Sequence, residues 1–490
     1  MFYDPVSETQ EAARDARGPR SAKRYDAAGE GALTGPERMS RSLRNFLLRL
    51  FELLDEHRVG YCVLHSWEKL PDELPNDLDL AVLKVDRSKL LLVFNGLRAD
   101  GYFPIQTLNH SANGNFFVFC WTQPGGVKTA AVDIVSEHRR GGMRLARAEE
   151  MVANRERCGA FWVASAQIEF AYLLAKKSFK RKASESQSRR LTFLVQKLGI
   201  SQAEELASGF LPADSYKQAV ASCSDGSIQE FLRDGRNALW RRSLSRPWKA
   251  APYFAREGAR LVRRWFRPTG VTVAILGPDG VGKSSVITGL VKNLDVAFWR
   301  RHRVFHWRPN IIAPKPDLGP DPNPHGKSPR GSITSMVYLA GFFLDYLVGY
   351  ALVLRPLRAK SNLLLFDRYF HDVLVDPQRY RYGGSKWFAE RLARMVPEPD
   401  LVILLDAETA TILGRKTEFP GHEIERQRKA YQELRFGHAV KVTIKTDDNV
   451  NDSVCGAAAA VAEYMTKRFD ERFQGSWSSA GARDRAEAFS

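Results

Sequence analysis

The stretch VTVAILGPDGVGKSS, residues 271–285, decides the fold of the C-terminal half of this chain. Its first six residues are apolar or β-branched, which is typical of a buried parallel strand. The next eight fit the pattern G-x-x-x-x-G-K-[ST], and the apolar residues of 286–294 indicate a helix shortly afterwards. Because a glycine-rich turn between a strand and a helix can wrap a polyphosphate, the sequence predicts a phosphate-binding loop here.

Each position of this loop has a predicted part in binding ATP and Mg²⁺. Glycines let backbone N–H groups approach phosphate oxygens, and the start of the helix adds its positive dipole end. We expect Lys283 to neutralise charge on the β- and γ-phosphates and the Ser284 hydroxyl to ligate Mg²⁺. The predicted nucleotide-binding residues are Gly277, Asp279, Gly280, Gly282, Lys283, Ser284 and Ser285.

A second predicted strand ends beside this loop. NLLLF, residues 362–366, leads directly into Asp367 and Arg368. A carboxylate at the C-terminal tip of a parallel strand is placed to hold Mg²⁺, and the arginine is placed to meet phosphate. A surface ion pair is the alternative interpretation.

A third predicted strand, DLVILL at 400–405, is followed by a basic segment. A basic segment over the phosphates is what a closing lid needs to stabilise the transferring group. Arg415, Arg426 and Arg428 are the candidates, and ordinary helix surface charge is an equal alternative for the last two. The sequence predicts Lys283, Asp367, Arg368 and Arg415 as catalytic residues.

These motifs together resemble the thymidylate kinase family of nucleoside-monophosphate kinases. The motifs are LGPDGVGKSS, the DRY at 367–369, PDLVILLDAE and the RK…ERQRKAY stretch, and they follow the family's order over about residues 270–470. The resemblance implies a P-loop fold with a five-stranded parallel core, the use of ATP and Mg²⁺, and phosphoryl transfer to a nucleoside monophosphate. It assigns phosphate, metal and lid roles to Lys283, Ser284, Asp367, Arg368 and Arg415.

The chain departs from this family where the acceptor would bind. Family members carry an R-E-P-G-G stretch after the first helix, whereas this chain reads FHWRPN at 305–310. Arg308 is a candidate replacement for the acceptor-phosphate arginine, but the acidic and glycine residues are missing. The continuation after DRY also differs, and the variant pattern resembles kinase-like proteins of surface-polysaccharide gene sets. The sequence therefore predicts ATP use and leaves the acceptor open.

The N-terminal half carries a second set of carboxylates. Asp77 and Asp79 lie two residues apart on a predicted strand and so share a face, and Asp133 lies on a later strand. Three such carboxylates suit two-metal nucleotidyl transfer, and the pattern resembles a minimal nucleotidyltransferase domain. A glycine-serine pair normally holds the triphosphate there, and this chain has His65-Ser66 instead. A solvated acidic turn is the alternative.

The predicted fold class is α/β, with a P-loop parallel sheet covered by helices on both faces, preceded by a smaller α/β domain and a helical segment. We divide the chain into six parts. They are a disordered tail (1–38), a nucleotidyltransferase-like domain (39–160), a helical segment (161–245), a basic linker (246–269), a thymidylate kinase-like P-loop domain (270–472) and a second disordered tail (473–490).

Composition limits the environment and the partners. The chain has 490 residues, 44% hydrophobic and 26% charged, and a formal net charge of +17 that favours an anionic partner. Five cysteines without a CxxC pair argue against a zinc site or a disulfide framework, and the polar first residues do not resemble a secretory signal. We expect a cytoplasmic protein that binds a nucleotide and a small acceptor and does not bind nucleic acid. A homodimer, and contact of the basic linker with the inner face of the membrane, are left open.

One apolar stretch, residues 336–354, has the length of a membrane span with Asp345 at its middle. A central aspartate costs roughly 2.5–3.5 kcal/mol in an inserted helix. The preferred interpretation is a buried helix, because the kinase motifs lie on both sides of it. Two alternatives to a simple kinase also stay open: a bifunctional transferase, and a non-catalytic ATP-binding component of surface-polysaccharide assembly.

Overall fold

The computed structural model describes residues 42–477 except 75, 112–113, 124, 141–142, 245–246, 313–324 and 417. The described residues fall in one compact unit. The predicted tail at 1–38 lies outside them, as does the part of the second tail after residue 477. That second tail was predicted from residue 473, but a long terminal helix runs through 477, because its apolar spacing continues past the predicted boundary.

The N-terminal part is built on a seven-stranded mixed sheet in the order β3-β4-β5-β2-β1-β9-β8, with a separate β6–β7 ribbon. The strands are β1 Tyr61–Val63, β2 Leu78–Val82, β3 Phe103–Ser111, β4 Gly114–Gln123, β5 Gly126–Val135, β6 Glu137–Arg140, β7 Met143–Arg147, β8 Glu156–Cys158 and β9 Phe161–Val163. The helices among them are α1 Leu43–Glu56, α2 Leu90–Ala99 and α3 Ala148–Ala153. Helix α1 begins at Ser42, whose hydroxyl accepts a hydrogen bond from Asn45 N at 3.1 Å.

Six helices follow before the next strand. They are α4 Ala166–Lys180, α5 Glu185–Leu198, α6 Ile200–Ser208, α7 Ala213–Ser224, α8 Ile228–Leu244 and α9 Pro247–Phe266. Helices α4 to α8 share their own apolar core. The segment that the sequence suggested as a linker is α9, a helix of 20 residues.

The C-terminal part contains a five-stranded, wholly parallel sheet in the order β11-β12-β10-β13-β14. Its strands are β10 Val271–Leu276, β11 His302–His306, β12 Leu363–Asp367, β13 Leu401–Asp406 and β14 Val440–Lys445. Its helices are α10 Lys283–Leu294, α11 Ser332–Gly349, α12 Arg355–Ala359, α13 Asp372–Val375, α14 Lys386–Ala393, α15 Thr409–Arg415, α16 Gly421–Glu433 and α17 Val450–Trp477. Every residue of β10 and β13 is buried, which explains their unbroken apolar sequences.

The two sheets share one apolar core through α10 and α17. Strand β4 is apolar along most of its length because both of its faces are covered. Phe117, Phe119 and Trp121 point towards the core formed with α1 and α2. The alternate residues Phe116 and Val118 point towards α10 and α17 and join the core of the parallel sheet.

Polar contacts reinforce this junction between the sheets. Arg468 of α17 donates to Thr269 O at 2.8 Å and to Gly270 O at 3.1 Å, where the chain enters β10. Gln106 Nε2 on β3 donates to the same Thr269 carbonyl at 3.0 Å. Arg98 of α2 forms an ion pair with Asp470. Helix α17 is therefore anchored to both sheets.

Among the described residues one helical stretch, Ser332–Ala359, is long and apolar enough to cross a membrane, and 28% of its most apolar window is buried. It comprises α11, a short π-helical segment (Tyr350–Leu354) and α12. Asp345 at its middle is fully buried, and its carboxylate accepts bonds from the backbone N–H groups of Asn310, Ile311 and Ile312. The helix is thus packed on one face by polar as well as apolar contacts, whereas Ile333, Val337 and Leu344 are exposed. The expectation of a buried helix holds for that packed face alone.

Candidate functional site

The phosphate-binding loop connects β10 to α10, as the sequence predicts. Gly277, Gly280 and Gly282 all have positive φ angles, of +144°, +84° and +100°. At Gly277 an added Cβ would lie 2.5 Å from Leu405 O on β13, so the neighbouring strand leaves no room for a side chain. Gly282 is the N-cap of α10, and its left-handed conformation turns the loop into the helix.

Lys283 and Asp279 form the charged centre of this loop. The buried Lys283 ammonium donates to Gly277 O at 2.9 Å and Pro278 O at 2.8 Å, and lies 3.2 Å from Asp279 Oδ1. Burial lowers the pKa of Lys283, and the positive charge of Arg368 lowers it further, despite the nearby carboxylates. Burial raises the pKa of Asp279, but Lys283, Arg368 and Arg379 outweigh this and hold it well below its ordinary value.

Asp367 lies at the C-terminal tip of β12, next to β10 in the sheet. Its Oδ2 contacts His306 Nδ1 at 3.3 Å, and its buried Oδ1 has no hydrogen-bond partner among the described residues. Burial raises the pKa of Asp367, but the His306 hydrogen bond and the charges of Lys283 and Arg368 lower it overall, so the carboxylate is ionised. An unpartnered carboxylate oxygen and the exposed Ser284 hydroxyl are suitable oxygen ligands for Mg²⁺.

Arg368 connects the strand tip to the loop. Its backbone has a φ angle of +75°, an uncommon conformation for a non-glycine residue, and its N–H bonds to Ile275 O at 3.1 Å. The buried guanidinium forms ion pairs with Asp279 and with Asp372 Oδ2, the latter at 2.6 Å. It also donates to Tyr431 Oη at 3.3 Å. These contacts hold Arg368 against the phosphate-binding loop.

Arg379 is a site residue that the sequence did not single out. Its guanidinium forms an ion pair with Asp279, opposite the one from Arg368, and lies 3.4 Å from Asp376 Oδ2. Asp376 in turn contacts His325 Nε2 at 2.8 Å. The only sequence signal was that the chain after DRY departs from the family pattern. The contact joins residues 100 positions apart, so no local pattern could have revealed it.

The predicted lid arginines pair with groups outside the phosphate-binding loop, although the end of α15 that carries Arg415 packs against Gly280 of that loop. Arg415 is exposed at the end of α15 and donates to Thr446 O at 2.6 Å, and the Thr446 hydroxyl donates to Val281 O in the loop. Arg426 pairs with Glu423 of its own helix at 2.7 Å. Arg428 pairs with Asp406 Oδ1 at 2.8 Å. The exposed Arg426 pairs within its own helix, as the surface-charge alternative has it, whereas Arg428 reaches the buried Asp406 at the tip of β13. The lid roles of these arginines and of Arg415 stay predictions.

Beside Arg379 lies an aromatic wall made by Trp307, Phe342 and Tyr380. The Trp307 ring stacks on Tyr380 with centroids 4.3 Å apart and meets Phe342 edge-on at 4.8 Å. The indole N–H of Trp307 is buried with no hydrogen-bond partner among the described residues. Arg308, the candidate acceptor-phosphate arginine, instead forms a buried ion pair with Asp345 Oδ2 at 3.1 Å.

The three N-terminal carboxylates come together as predicted. Asp79 on β2 is in register with Asp133 on β5, and one oxygen from each of Asp77, Asp79 and Asp133 lies within 4.8 Å of the other two. Burial and the charge of Asp79 raise the pKa of Asp77 to about 6. This cluster is the site at which a metal ion was predicted.

Asp79, however, already has three buried partners. Lys176 Nζ of α4 lies 2.8 and 2.7 Å from its two oxygens, His65 Nε2 lies 2.9 Å away, and Tyr172 Oη donates at 2.9 Å. Burial raises the pKa of Asp79, but Lys176 and His65 outweigh it and hold the pKa well below its ordinary value. A metal ion at Asp79 would have to share this carboxylate with the Lys176 ammonium or displace it. Neither His65 nor Lys176 could be identified as a partner of Asp79 from local sequence pattern.

Comparisons with known proteins give a partial match. No protein-family model matches the chain. A thymidylate kinase from Xanthomonas euvesicatoria pv. vesicatoria is 24% identical over 213 residues, which is 41% of this chain and 88% of the relative. A solved thymidylate kinase from Ehrlichia chaffeensis aligns with 40% of this chain and 97% of its own length, at 14% identity and a TM-score of 0.28. The sequence similarity makes part of this chain a thymidylate kinase-like region and supports a nucleotide kinase-like function.

Proposed function

We propose that the C-terminal half is an ATP-dependent phosphotransferase that moves the γ-phosphate of ATP to a small acceptor. The observation that carries this proposal is the convergence of Lys283, Arg368 and Arg379 on the phosphate-binding loop, beside the unpartnered oxygen of Asp367. Phosphoryl transfer needs little covalent chemistry from the protein and depends on positioning and charge. Three cations at the carboxyl ends of parallel strands meet that need.

The residues present suit ATP bound with Mg²⁺. Ser284 and Asp367 would hold the ion, which neutralises charge on the phosphate oxygens when bound. Lys283 would exchange its contacts with the loop carbonyls for phosphate oxygens, and Arg368 would keep its bond to Asp372 while it faces the transferred group. Burial of these cations strengthens their attraction for phosphate because the local dielectric is low.

A nucleoside monophosphate is the first candidate acceptor. The aromatic wall of Trp307, Phe342 and Tyr380 offers a flat apolar surface for a base, and the Trp307 N–H is a buried donor for a carbonyl or hydroxyl. Arg379 lies between this wall and Asp279 and would meet the acceptor phosphate. The similarity to thymidylate kinase supports a nucleotide over a sugar.

A coupled assay of ADP release tests the proposal with dTMP, dUMP, dCMP, other nucleoside monophosphates and sugars. We expect one acceptor to stimulate release, and Lys283→Ala to lower the rate roughly a hundredfold, since removing one preorganised donor to a developing charge typically costs this much. Lys292→Ala, on an exposed part of the same helix, is the matched control. Release without acceptor dependence, or normal turnover by Lys283→Ala, would contradict the proposal. ATP binding without turnover would favour the non-catalytic alternative.

Nucleotidyl transfer by the N-terminal part is a second candidate, supported by the convergence of Asp77, Asp79 and Asp133. It is tested by transfer of labelled nucleotide to protein or sugar. The double variant Asp77→Asn/Asp79→Asn should abolish transfer and leave kinase turnover intact. No transfer by the wild-type protein would remove this candidate, and Mn²⁺ binding that appears only in Lys176→Ala would show that the lysine takes the place of the metal.

A further inference from the structure

Helix α9 is oriented with its polar side towards the protein. Glu257, Arg260 and Arg264 repeat at intervals of three and four residues and are its partly buried side chains. Arg264 donates to Ser361 Oγ at 2.8 Å, and Arg260 pairs with Glu257 at 2.7 Å. Surface helices normally turn their apolar side inward, so the packing of α9 is inverted.

The opposite side of α9 presents its apolar residues to solvent. Leu261, Val262, Trp265 and Phe266 lie on one face because they too repeat at intervals of three and four residues. Phe254, seven residues before Leu261, continues this face and also stacks on Trp240 of α8, with ring centroids 5.9 Å apart. The exposed fractions are Phe254 41%, Leu261 57%, Val262 58%, Trp265 42% and Phe266 71%. A contiguous apolar face of this kind on a soluble protein marks a surface that contacts something else.

The charges beside this face indicate what it contacts. Arg256 and Arg263 are exposed along the same helix and Arg267 is exposed directly after it, and the whole chain carries a net charge of +17. A second copy packed on this face through a two-fold axis would bring two arginine-rich helices together, which like-charge repulsion disfavours. An anionic bilayer accepts both features, since arginines meet phosphate headgroups while tryptophan, phenylalanine and leucine enter the interface.

We propose that α9 is an interfacial helix that docks this protein on an anionic lipid surface. The neighbouring helix contributes to the same region: α9 packs against α12, and Arg355 donates to Phe266 O at 3.2 Å. Three residues before Arg355, Leu352 is 67% exposed. The contacts of α9 lie at the amino ends of β10 and β12, so the docked protein would keep its phosphotransferase site at the other edge of the parallel sheet, and the docking itself does not depend on the identity of the acceptor.

Vesicle cosedimentation of the full chain tests this proposal. Vesicles of phosphatidylcholine alone are compared with vesicles of equal parts phosphatidylcholine and phosphatidylglycerol. We expect binding to the anionic vesicles that weakens as salt rises. The variant Leu261→Ser/Trp265→Ser/Phe266→Ser should bind roughly a hundredfold more weakly, because it removes the inserted apolar side chains. The variant Arg256→Gln/Arg263→Gln/Arg267→Gln should lose roughly fivefold per arginine on anionic vesicles only.

Matched controls separate docking from loss of folding. Trp387→Ser on α14 and Ile200→Ser on α6 remove equally exposed apolar side chains, 68% and 59%, far along the chain from α9, and should bind like wild type. All variants should keep the wild-type thermal midpoint. Wild-type protein that stays in the supernatant with anionic vesicles overturns the proposal, as does unchanged binding by the triple serine variant. A dimer in sedimentation velocity that the serine variant converts to a monomer would assign the face to a second copy.

Discussion

Three positive side chains surround the Asp279 carboxylate. Lys283 follows it in the loop, Arg368 comes from the tip of β12, and Arg379 comes from the turn after α13. Asp372 contacts Arg368 and Asp376 contacts Arg379 as well, so carboxylates hold these cations on more than one side. An incoming phosphate would take the place of Asp279 as their partner, and the ion pairs keep the three cations in position before it arrives.

Asp77 gives a pH-dependent prediction at the residue scale. Its pKa is about 6 in the folded protein and about 4 when unfolded. Between these values the folded state holds a proton that the unfolded state has lost, so rising pH lowers the free energy of unfolding across this window. We expect Asp77→Asn, which cannot ionise, to be more stable than wild type at pH 8 by on the order of 2 kcal/mol, and equal to it near pH 4.

Urea denaturation in the presence of EDTA at several pH values measures this difference. Asp72→Asn, an exposed carboxylate in the same loop, is the control and should change stability little at any pH. An Asp77→Asn curve parallel to the wild-type curve would show that the cluster of carboxylates does not raise this pKa.

How well the sequence predicted the site depends on how far apart the contacting residues lie along the chain. Local sequence patterns were enough to identify residues 277–285 and the Asp367-Arg368 pair, because phosphate binding requires these residue types at these spacings. The fold then brings the two segments together. Arg379, Lys176 and His65 contact residues that are distant in the sequence. The residues around an arginine or lysine in a helix or turn do not indicate which distant residue it contacts. Arg308 was interpreted by analogy, and its buried partner Asp345 lies 37 residues away.

At the scale of single elements, α11 combines an apolar sequence with one buried charge. Asp345 pairs with Arg308 and accepts three backbone N–H groups from residues 310–312. The FHWRPN segment at 305–310 and the two residues after it are thereby attached to α11. Hydropathy could not distinguish this helix from a membrane span, because the average over its residues hides the difference between the packed face and the exposed one.

Asp345→Ala should destabilise the protein by about 3 kcal/mol, because it leaves the Arg308 guanidinium buried without its carboxylate partner. The double variant Arg308→Met/Asp345→Leu should recover most of this loss, since replacing both charges by apolar groups of similar size leaves no charge unpaired. Chemical denaturation measures both. A double variant as unstable as Asp345→Ala would mean that the backbone hydrogen bonds, and not the ion pair, dominate.

Helix α9 has a structure that its charge alone did not indicate. The run of basic residues between 246 and 269 favoured a linker, and 20 of these residues form a helix. The alternation of apolar and basic residues at helical spacing was present in the sequence. Only the structure shows that Arg260 and Arg264 face the protein while the apolar side faces away.

The shared core is the main feature at the scale of the whole molecule. Residues of β3, β4 and β5 and residues of α10 and α17 belong to one buried cluster, together with the interior of the parallel sheet. Order along the chain suggested separate domains, because both halves show complete α/β patterns. The apolar residues on both faces of β4 were the sign that its second face is covered as well.

Because the core is shared, nucleotide binding should stabilise both sheets. We expect one thermal transition for residues in both halves, and ATP-Mg at about a hundredfold excess over its Kd should raise the free energy of unfolding by about 2.7 kcal/mol. Hydrogen exchange of the β3–β5 amides should slow along with that of β10. Lys283→Ala should remove both effects. Two separate transitions, with only the later strands protected by ATP-Mg, would contradict a common core.

The packing of helix α17 affects how this chain can be cut into fragments. Either half alone would expose a broad apolar surface to water, because α17 and strands β3 and β5 cover one another. A cut between residues 245 and 246 should therefore not release two independent proteins. The two fragments, when produced together, should associate and fold like the uncut chain. A gene that encodes only the C-terminal fragment would need another element to cover the surface that β3 and β5 cover in the whole chain.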